Sequence, residues 1–159
     1  MNYICIGKIV NTHGIKGEIR ILSNFDYKDK IFIKGFKLYI GSSKEKVTIN
    51  TYRHHKCFDM CLFEEYNYIN DVLKFKGQKV YINREDLILN ETEILDNDLI
   101  GLDAFYNDNR LGKITDIINN NGYKLFLIDN KYIPYNKEFI EKIDLNNKII
   151  TFKNMEGLI

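Results

Sequence analysis

The amino-acid sequence predicts an all-β protein built from two small β-barrels. Three observations support this fold class. Aromatic residues make up 13% of the chain and there is one proline, and Ile, Val, Tyr and Phe are plentiful, which favours strands. No window carries a long apolar repeat of 3.6 residues, which amphipathic helices would need. The alternating segments form two series separated by an acidic stretch at residues 85–97, so we expect two separately cored units.

The first series opens with a glycine-rich stretch at residues 7–20, bracketed by alternating apolar residues. This pattern predicts a strand, a tight loop and a second strand. Glycine tolerates a positive φ and close backbone approach. The expected structural turn residues are Gly7, Gly14 and Gly17. Lys16 and Arg20 would then project from a rigid, cationic loop.

Phosphate-binding and catalytic motifs fit this stretch poorly. The glycine spacing does not match G-x-G-x-x-G, no P-loop is present, and the following residues alternate like a strand rather than opening a helix. His13 has no Ser, Cys or paired carboxylate near it in sequence that would give it a role as general base. An exposed binding face is therefore favoured over catalysis by this loop.

Four further strands and one short helix complete the first unit, residues 1–84. The strands are predicted at residues 36–40, 46–52, 60–64 and 78–83. A short helix is expected with Asn70 as its cap and Gly77 as its stop. Pairing the last strand with the first closes a six-stranded barrel. Arg53 and His54 precede the third of these strands, so they would add a second basic site beside the glycine loop.

The second unit, residues 98–159, also reads as a small barrel behind the linker at 85–97. Its strands are predicted at residues 100–106, 111–118, 123–129, 132–135 and 148–152. Pro134 lacks a backbone donor, so it belongs near a strand end or edge. Residues 137–141 are expected to form one helical turn.

Charge is distributed unevenly between the two halves. Residues 1–85 carry 15 Lys and Arg against 9 Asp and Glu, a net charge of +6, and residues 86–159 carry 8 against 13, a net charge of −5. A positive half suits a polyanion such as RNA, and a negative half suits a basic protein. Imbalances of this size also occur on surfaces that bind nothing.

The amino terminus has no charged segment followed by a long apolar run, so we expect a cytoplasmic protein without a signal peptide or membrane span. The three cysteines are expected to be reduced and to pack as small apolar residues. His54, His55, Cys57 and Cys61 could suggest zinc, but their alternation is typical of a strand rather than of four convergent ligands. We therefore expect no metal and no cofactor.

Residues 7–20, G-K-I-V-N-T-H-G-I-K-G-E-I-R, resemble the opening signature of the RimM family of ribosome maturation factors nearly position for position. Four later blocks are similar in order and spacing to the carboxy-terminal unit of that family, a PRC-type barrel. They are D-L-I-G at 98–101, L-G-K-I at 111–114, Y-I-P-Y at 132–135 and M-E-G-L-I at 155–159. Each later block is weak alone, but their order behind the first signature makes the assignment strong.

The resemblance implies a non-enzymatic assembly factor. Nothing in the sequence suggests coiled-coil or swapped pairing, so we expect a monomer. It would bind the head of the small ribosomal subunit precursor and its ribosomal protein nineteen, and aid processing of the small-subunit ribosomal RNA. Candidate RNA or ribosome contacts are Lys8, His13, Lys16, Arg20, Arg53 and His54. Candidate contacts to the ribosomal protein are Ile94, Leu95, Asp96 and Asp98. Lysine and arginine neutralise phosphate without reading sequence, so association should be salt-sensitive rather than base-specific.

One departure from the family concerns the protein contact. Members of the family commonly carry an aromatic pair before the D-L-I-G block, where this chain has Ile94 and Leu95. An aliphatic pair could anchor a partner or could pack against the second barrel. Two other functions stay open: a PRC-barrel adaptor for another basic protein, and a phosphate-binding enzyme that uses His13 as its base.

Overall fold

The protein is described here by a computed structural model that covers residues 1–90 and 93–157. It divides into two compact units, Met1–Leu89 and Asn90–Ile159. Strands dominate both units, which confirms the all-β prediction. The finer boundaries at 1–84, 85–97 and 98–159 stay a prediction. Glu91 of the predicted linker, and Leu158 and Ile159 of the last family block, lie outside the described residues.

The first unit is a closed, antiparallel six-stranded barrel in the order β1-β2-β5-β4-β3-β6. Its strands are β1 Tyr3–His13, β2 Glu18–Leu22, β3 Lys37–Ile40, β4 Glu45–His55, β5 Phe58–Phe63 and β6 Lys79–Asn83. Pairing of β1 with β6 closes the barrel, as the sequence predicted. Alternate residues point inward, so Ile19 and Ile21 of β2 are fully buried while Arg20 between them stays partly exposed.

Two strands of this barrel are longer than the sequence predicts. β1 continues through Gly7 to His13, so Gly7 lies inside a strand and not in the turn. A Cβ at Gly7 would lie 2.5 Å from the carbonyl oxygen of Leu22, which shows that glycine is needed for close strand approach. β4 runs on to His55, so the basic residues that we placed in a turn end this strand instead.

The helical segments of the first unit are short. Helix α1, Lys28–Ile31, lies in a stretch for which we predicted neither strand nor helix, and its apolar end is buried at Ile31. Helix α2, Ile69–Val72, continues as a 3₁₀ turn over Leu73–Phe75 and is followed by Gly77 at φ +83°. Its cap residue is Tyr68 and not the predicted Asn70, and no side chain accepts a hydrogen bond there.

A charged side chain is buried inside the first barrel. Asp59 on β5 is fully buried, and its Oδ1 accepts a hydrogen bond of 2.6 Å from the Tyr52 hydroxyl. Lys28 Nζ lies 2.8 Å from the other carboxylate oxygen, as an ion pair without a well-aligned hydrogen bond. Burial and the Asp59 contact raise the pKa of Tyr52.

The three cysteines differ in their environment. Cys61 is buried, and burial raises the pKa of its thiol. Cys5 and Cys57 are exposed, contrary to the expected packing of all three cysteines.

The second unit contains a six-stranded sheet in the order β10-β9-β8-β7-β12-β11. Its elements are α3 Asp96–Leu99, β7 Asp103–Tyr106, β8 Asn109–Asn120, β9 Tyr123–Ile128, β10 Lys131–Pro134, a 3₁₀ turn Lys137–Phe139, β11 Ile140–Asp144 and β12 Ile149–Phe152. Strands β7 and β12 run parallel, and the other paired strands run antiparallel. The core is centred on Phe126, Ile128 and Phe152. Pro134 ends an edge strand, as predicted.

Three features of the second unit differ from the sequence prediction. Helix α3 lies across the predicted end of the linker, because Leu99 is buried in the core. The first strand begins at Asp103 and not at Ile100. β11 was not predicted, since its apolar residues are separated by charged ones; the helical turn predicted at 137–141 ends at Phe139, and β11 begins at Ile140. In the described residues, no helix has the length and apolar character that a membrane span requires.

Candidate functional site

The turn that joins β1 to β2 is rigidly held. Gly14 and Gly17 have φ of +80° and +88°, and the Gly17 amide donates to the Gly14 carbonyl at 3.3 Å. The Ile69 amide donates to the Ile15 carbonyl at 2.8 Å. A Cβ at Gly17 would lie 3.1 Å from the Tyr68 carbonyl oxygen, so the turn fits closely against the next loop. The exposed Lys16 side chain is therefore presented from a fixed backbone.

His13 and Arg20 face each other on the outer surface of β1 and β2. Arg20 Nη2 lies 2.7 Å from His13 Nδ1, so the guanidinium donates and the imidazole accepts. The Arg20 guanidinium also lies 5.8 Å from the centre of the Phe58 ring. Its Nε is buried and has no hydrogen-bond partner among the described residues. The charge of Arg20 therefore lacks an acidic partner in the described contacts.

Arg53 reaches from β4 across β5 to Glu18 on β2. Its Nε and Nη2 donate to the two Glu18 carboxylate oxygens at 2.9 and 2.7 Å, the fork-shaped geometry that arginine favours. The hydrogen bond from Arg53 lowers the pKa of Glu18, and the charge of Arg53 adds to this effect. In the ladder, Arg53 and Arg20 flank Met60, which is fully buried. Directly paired residues project from the same side of a sheet, so both arginine side chains lie beside Met60 on the outer side of the barrel wall.

We define the basic face as the outer surface of β1, β2, β5 and β4 with the turn that joins β1 to β2. Its residues are His13, Lys16, Arg20, Arg53 and His55. Glu18 neutralises Arg53, so Lys16 and Arg20 supply most of the available positive charge. This face can bind anions by charge and by arginine hydrogen bonds.

Two of the predicted contacts lie apart from this group. Lys8 pairs with Leu22 and Lys79, roughly 17 Å from His13 along β1 at about 3.3 Å per residue. His54 is exposed but alternates with Arg53, so it belongs to the opposite side of β4. The turn between β4 and β5 lies at the far end of the ladder from the glycine turn, because β2 and β5 are antiparallel with Arg20 opposite Met60. The two turns are therefore not neighbours, contrary to our expectation.

Sequence reasoning did not find Glu18 or Phe58 as parts of this surface. Glu18 and Arg53 are 35 residues apart, and the sequence alone does not pair them. The available signal was alternation: Glu18 and Arg20 are two residues apart on a strand whose intervening residue is apolar. In the described part of the chain, no group of three or more His, Cys, Asp and Glu side chains is placed to hold a metal ion.

Each of the two units matches a known protein-family model. The model of the RimM N-terminal domain matches residues 4–87, and the model of the RimM PRC barrel domain matches residues 96–158. The chain belongs to the RimM family. Ribosome maturation factor RimM of Staphylococcus haemolyticus is 40% identical over 97% of this chain and 97% of its own length. The protein of the same name from Finegoldia magna is 39% identical over 99% of this chain and its full length.

A solved structure shares the RimM fold. It is the crystal structure of a 16S ribosomal RNA processing protein RimM from Pseudomonas aeruginosa, with a TM-score of 0.50 and 18% identity. The match covers 95% of this chain and 96% of that chain. These comparisons confirm the family and the two-barrel fold class predicted from the sequence.

The aliphatic pair Ile94 and Leu95 takes part in packing. Leu95 is buried and Ile94 packs against the core of the second unit. Asp96, the first residue of α3, forms an ion pair with Lys124 on β9. Asp98 lies in the same helix and is half-buried. Ile94 packs against the second core and Leu95 is buried, which disfavours the pair as an exposed anchor.

Proposed function

We propose that this protein is a non-catalytic ribosome maturation factor that binds the head of the small-subunit precursor and aids processing of its ribosomal RNA. The observation that carries the proposal is the similarity over almost the full chain to proteins named ribosome maturation factor RimM. The protein acts in the cytoplasm as a monomer and needs no cofactor. Small-subunit ribosomal RNA is its nucleic-acid partner, and ribosomal protein nineteen is its protein partner.

The basic face supports the RNA contact. Lys16 stands on a turn whose backbone is fixed, and Arg20 is oriented by His13 and Phe58. A guanidinium already held in place loses little conformational freedom when it meets a phosphate, so Arg20 suits contact with an RNA backbone. The net charge of +6 over residues 1–85 adds long-range attraction.

The second unit supports the protein contact through charge and exposed tyrosines. Residues 86–159 carry a net charge of −5, which complements a basic ribosomal protein. Tyr123 on β9 and Tyr132 on β10 are 78% and 58% exposed. Register and alternation put them on the same side of the sheet as Leu125 and Leu127, opposite the buried Phe126. We place the protein contact on this side of β9 and β10, and not at Ile94 and Leu95.

The adaptor and enzyme alternatives have less support. An adaptor for an unrelated protein would not need a basic face on the first unit. An enzyme would need a nucleophile or metal beside His13, and the contacts of its Nδ1 lead to Arg20.

The test is co-sedimentation of the purified protein with small-subunit precursors and with mature ribosomes. The wild-type protein should sediment with precursors and free small subunits, and not with mature paired ribosomes. The double variant Lys16→Glu and Arg20→Glu should lose most precursor binding, since both changes reverse charges on the basic face. The matched control reverses Lys34 and Lys46, which are exposed on the same unit and make no hydrogen bond or ion pair with the described residues. Equal binding to precursors and mature ribosomes would contradict the proposal.

The protein contact has a separate test. Tyr123→Ser combined with Tyr132→Ser should weaken binding to purified ribosomal protein nineteen by at least ten-fold, because exposed tyrosines are frequent energetic centres of interfaces. Leu145→Ser, which removes an exposed apolar side chain elsewhere on the second unit, should leave that affinity unchanged. Unaltered affinity of the tyrosine variant would move the contact to another surface.

A further inference from the structure

A cavity of about 270 Å³ opens beside the glycine turn, at one end of the basic face. The residues that line it are Lys16, Asn50, Leu62, Phe63, Tyr66 and Asn67. Leu62 and Phe63 provide an apolar floor, and Phe63 is buried in the barrel. The remaining four residues bring a cation, two amides and an aromatic ring to the same opening.

The backbone geometry around the cavity determines where these side chains lie. The register between β4 and β5 shifts at Asn50, between Ile49 and Thr51, as at a β-bulge. Bulges redirect side chains and are common beside binding sites. Lys16 belongs to the rigid turn described above, which is hydrogen-bonded to the loop that follows Asn67.

The Tyr66 side chain lines the cavity and is held in place by its contacts. Its hydroxyl donates to Glu45 at 2.7 Å, and burial together with this hydrogen bond raises its pKa to about 12. Its ring is tilted against Phe75 with 5.4 Å between ring centres and meets the edge of Phe63. Lys74 lies over the same ring. A ring held on several sides gives a bound ligand a preformed surface.

Three polar side chains at the opening have no partner among the described residues. The side chains of Lys16, Asn50 and Asn67 make no hydrogen bond or ion pair with other described residues. By contrast, the cavity near Ser42 and Gln78 contains Glu45 and Lys74, which pair with each other at 3.0 Å. Only the first of these two cavities therefore offers a free cation and free amides to a ligand.

We infer that this cavity binds one unstacked nucleotide of single-stranded RNA. The base lies over Leu62 and beside Tyr66, the amides of Asn50 and Asn67 hydrogen-bond its edge, and Lys16 contacts its phosphate. Amides both donate and accept, so they suit base edges, and sequence-specific RNA binding proteins commonly take up unstacked bases in this way. The inference rests on the proposed function, since it takes the RNA to be that of the small subunit.

Size and charge favour a single nucleotide held within a strand. The cavity is smaller than the roughly 300–1,000 Å³ typical of pockets for drug-sized ligands, so one base fills it. The exposed carboxylates of Glu64 and Glu65 follow β5 but do not line the cavity. The basic face continues from Lys16 toward Arg20, so flanking phosphates would meet further positive charge.

The test measures affinity of the full chain for a fluorescein-labelled 12-nucleotide single strand of mixed sequence and for its duplex. Asn50→Ala combined with Asn67→Ala should weaken single-strand binding about ten-fold, as expected for the loss of two hydrogen bonds. Duplex binding should stay unchanged, because a paired base cannot enter the cavity. The matched control is Asn97→Ala, an exposed asparagine of α3. Equal single-strand affinity of the double variant and the control would overturn the inference.

A second measurement separates the base from its phosphate and does not depend on variants. In ¹H–¹⁵N spectra of the full chain, uridine or adenosine 5′-monophosphate should shift the side-chain amide signals of Asn50 and Asn67. Ribose 5-phosphate at equal concentration should shift neither. Equal shifts with both ligands would mean phosphate binding alone, and tighter binding of the mononucleotide than of the RNA strand would mean a free nucleotide site. Either result contradicts the inference.

Failure of this inference and failure of the proposed function give different results. If the wild-type protein and the Asn50 and Asn67 variant bind single-stranded RNA equally, but the wild type still sediments with precursors, only the nucleotide cavity is refuted. If the cavity binds nucleotides but the protein does not sediment with precursors, the maturation function is refuted.

Discussion

Replacing Asp59 by alanine should lower the free energy of unfolding of the first barrel by about 3 kcal/mol. Asp59 is fully buried, with the Tyr52 hydroxyl 2.6 Å from one carboxylate oxygen and Lys28 Nζ 2.8 Å from the other. A hydrogen bond to a charged group contributes roughly 1.5–3 kcal/mol, and removing one partner of a buried pair costs roughly 3–5 kcal/mol. The Lys28 side chain is 32% exposed, so its ammonium can return to water. That relief puts the expected loss near the lower end of the range.

The assay is urea and thermal unfolding, with hydrogen exchange and mass spectrometry to follow peptides of β2 and β5 separately from the second unit. For a domain of 60–100 residues, about 3 kcal/mol corresponds to a fall in Tm of roughly 12 to 24 °C. Asp59→Asn keeps an acceptor for Tyr52 and should lose about half as much. Asp26→Ala, a change at an exposed carboxylate, is the control. A loss below about 1 kcal/mol for Asp59→Ala would refute the assignment of a buried, partnered charge.

Three further predictions concern the barrel and its outer surface. Gly7→Ala should destabilise the first unit by about 1–3 kcal/mol in urea unfolding, because the new Cβ would meet the Leu22 carbonyl oxygen at 2.5 Å; an unchanged midpoint would contradict this. The pKa of Glu18 is lowered because its carboxylate pairs with Arg53. This pairing therefore contributes its full stabilisation at a pH above the ordinary pKa of 4.5, and that stabilisation is lost as the pH falls through the lowered pKa. Glu18→Gln should therefore reduce Tm at pH 7 and have little effect at pH 2; equal effects at both would be inconsistent with the ion pair. Iodoacetamide should modify two cysteines of the native chain and leave the buried Cys61 unmodified until the protein unfolds, as mass spectrometry will show.

The alternating segments of the chain were sufficient to predict most strands and the two-unit division. Alternation failed where a strand contained glycine or consecutive polar residues. Gly7 is compatible with a turn or with close strand approach, and only the neighbouring Leu22 carbonyl distinguishes the two. β4 extends to His55 because pairing with β5 continues beyond the last buried residue, and a polar strand end carries no apolar signal. Tertiary pairing therefore decided what local sequence left open.

The sequence predicted which residues form part of the candidate site better than it predicted how they are arranged in space. Lys16 and Arg20 were identified from their positions in the glycine-rich stretch, and the structure brings Arg20 into contact with His13. The link from Arg53 to Glu18 spans three strands of the barrel and has no local signature. Ile94 and Leu95 resemble an exposed pair in sequence because acidic residues surround them, but Ile94 packs against the second core and Leu95 is buried. Burial of this kind depends on the position of α3, which the sequence pattern did not indicate.

The salt dependence of binding to small-subunit precursors tests the central claim most directly. Each phosphate contact adds roughly 0.7 to 0.9 to the slope of log K against log salt. Replacing Lys16 and Arg20 by glutamine should therefore make the slope shallower by about 1.5, while the control pair Lys34→Gln and Lys46→Gln keeps the wild-type slope. Equal slopes for the wild type and the Lys16 and Arg20 variant would contradict a basic face that grips the RNA backbone.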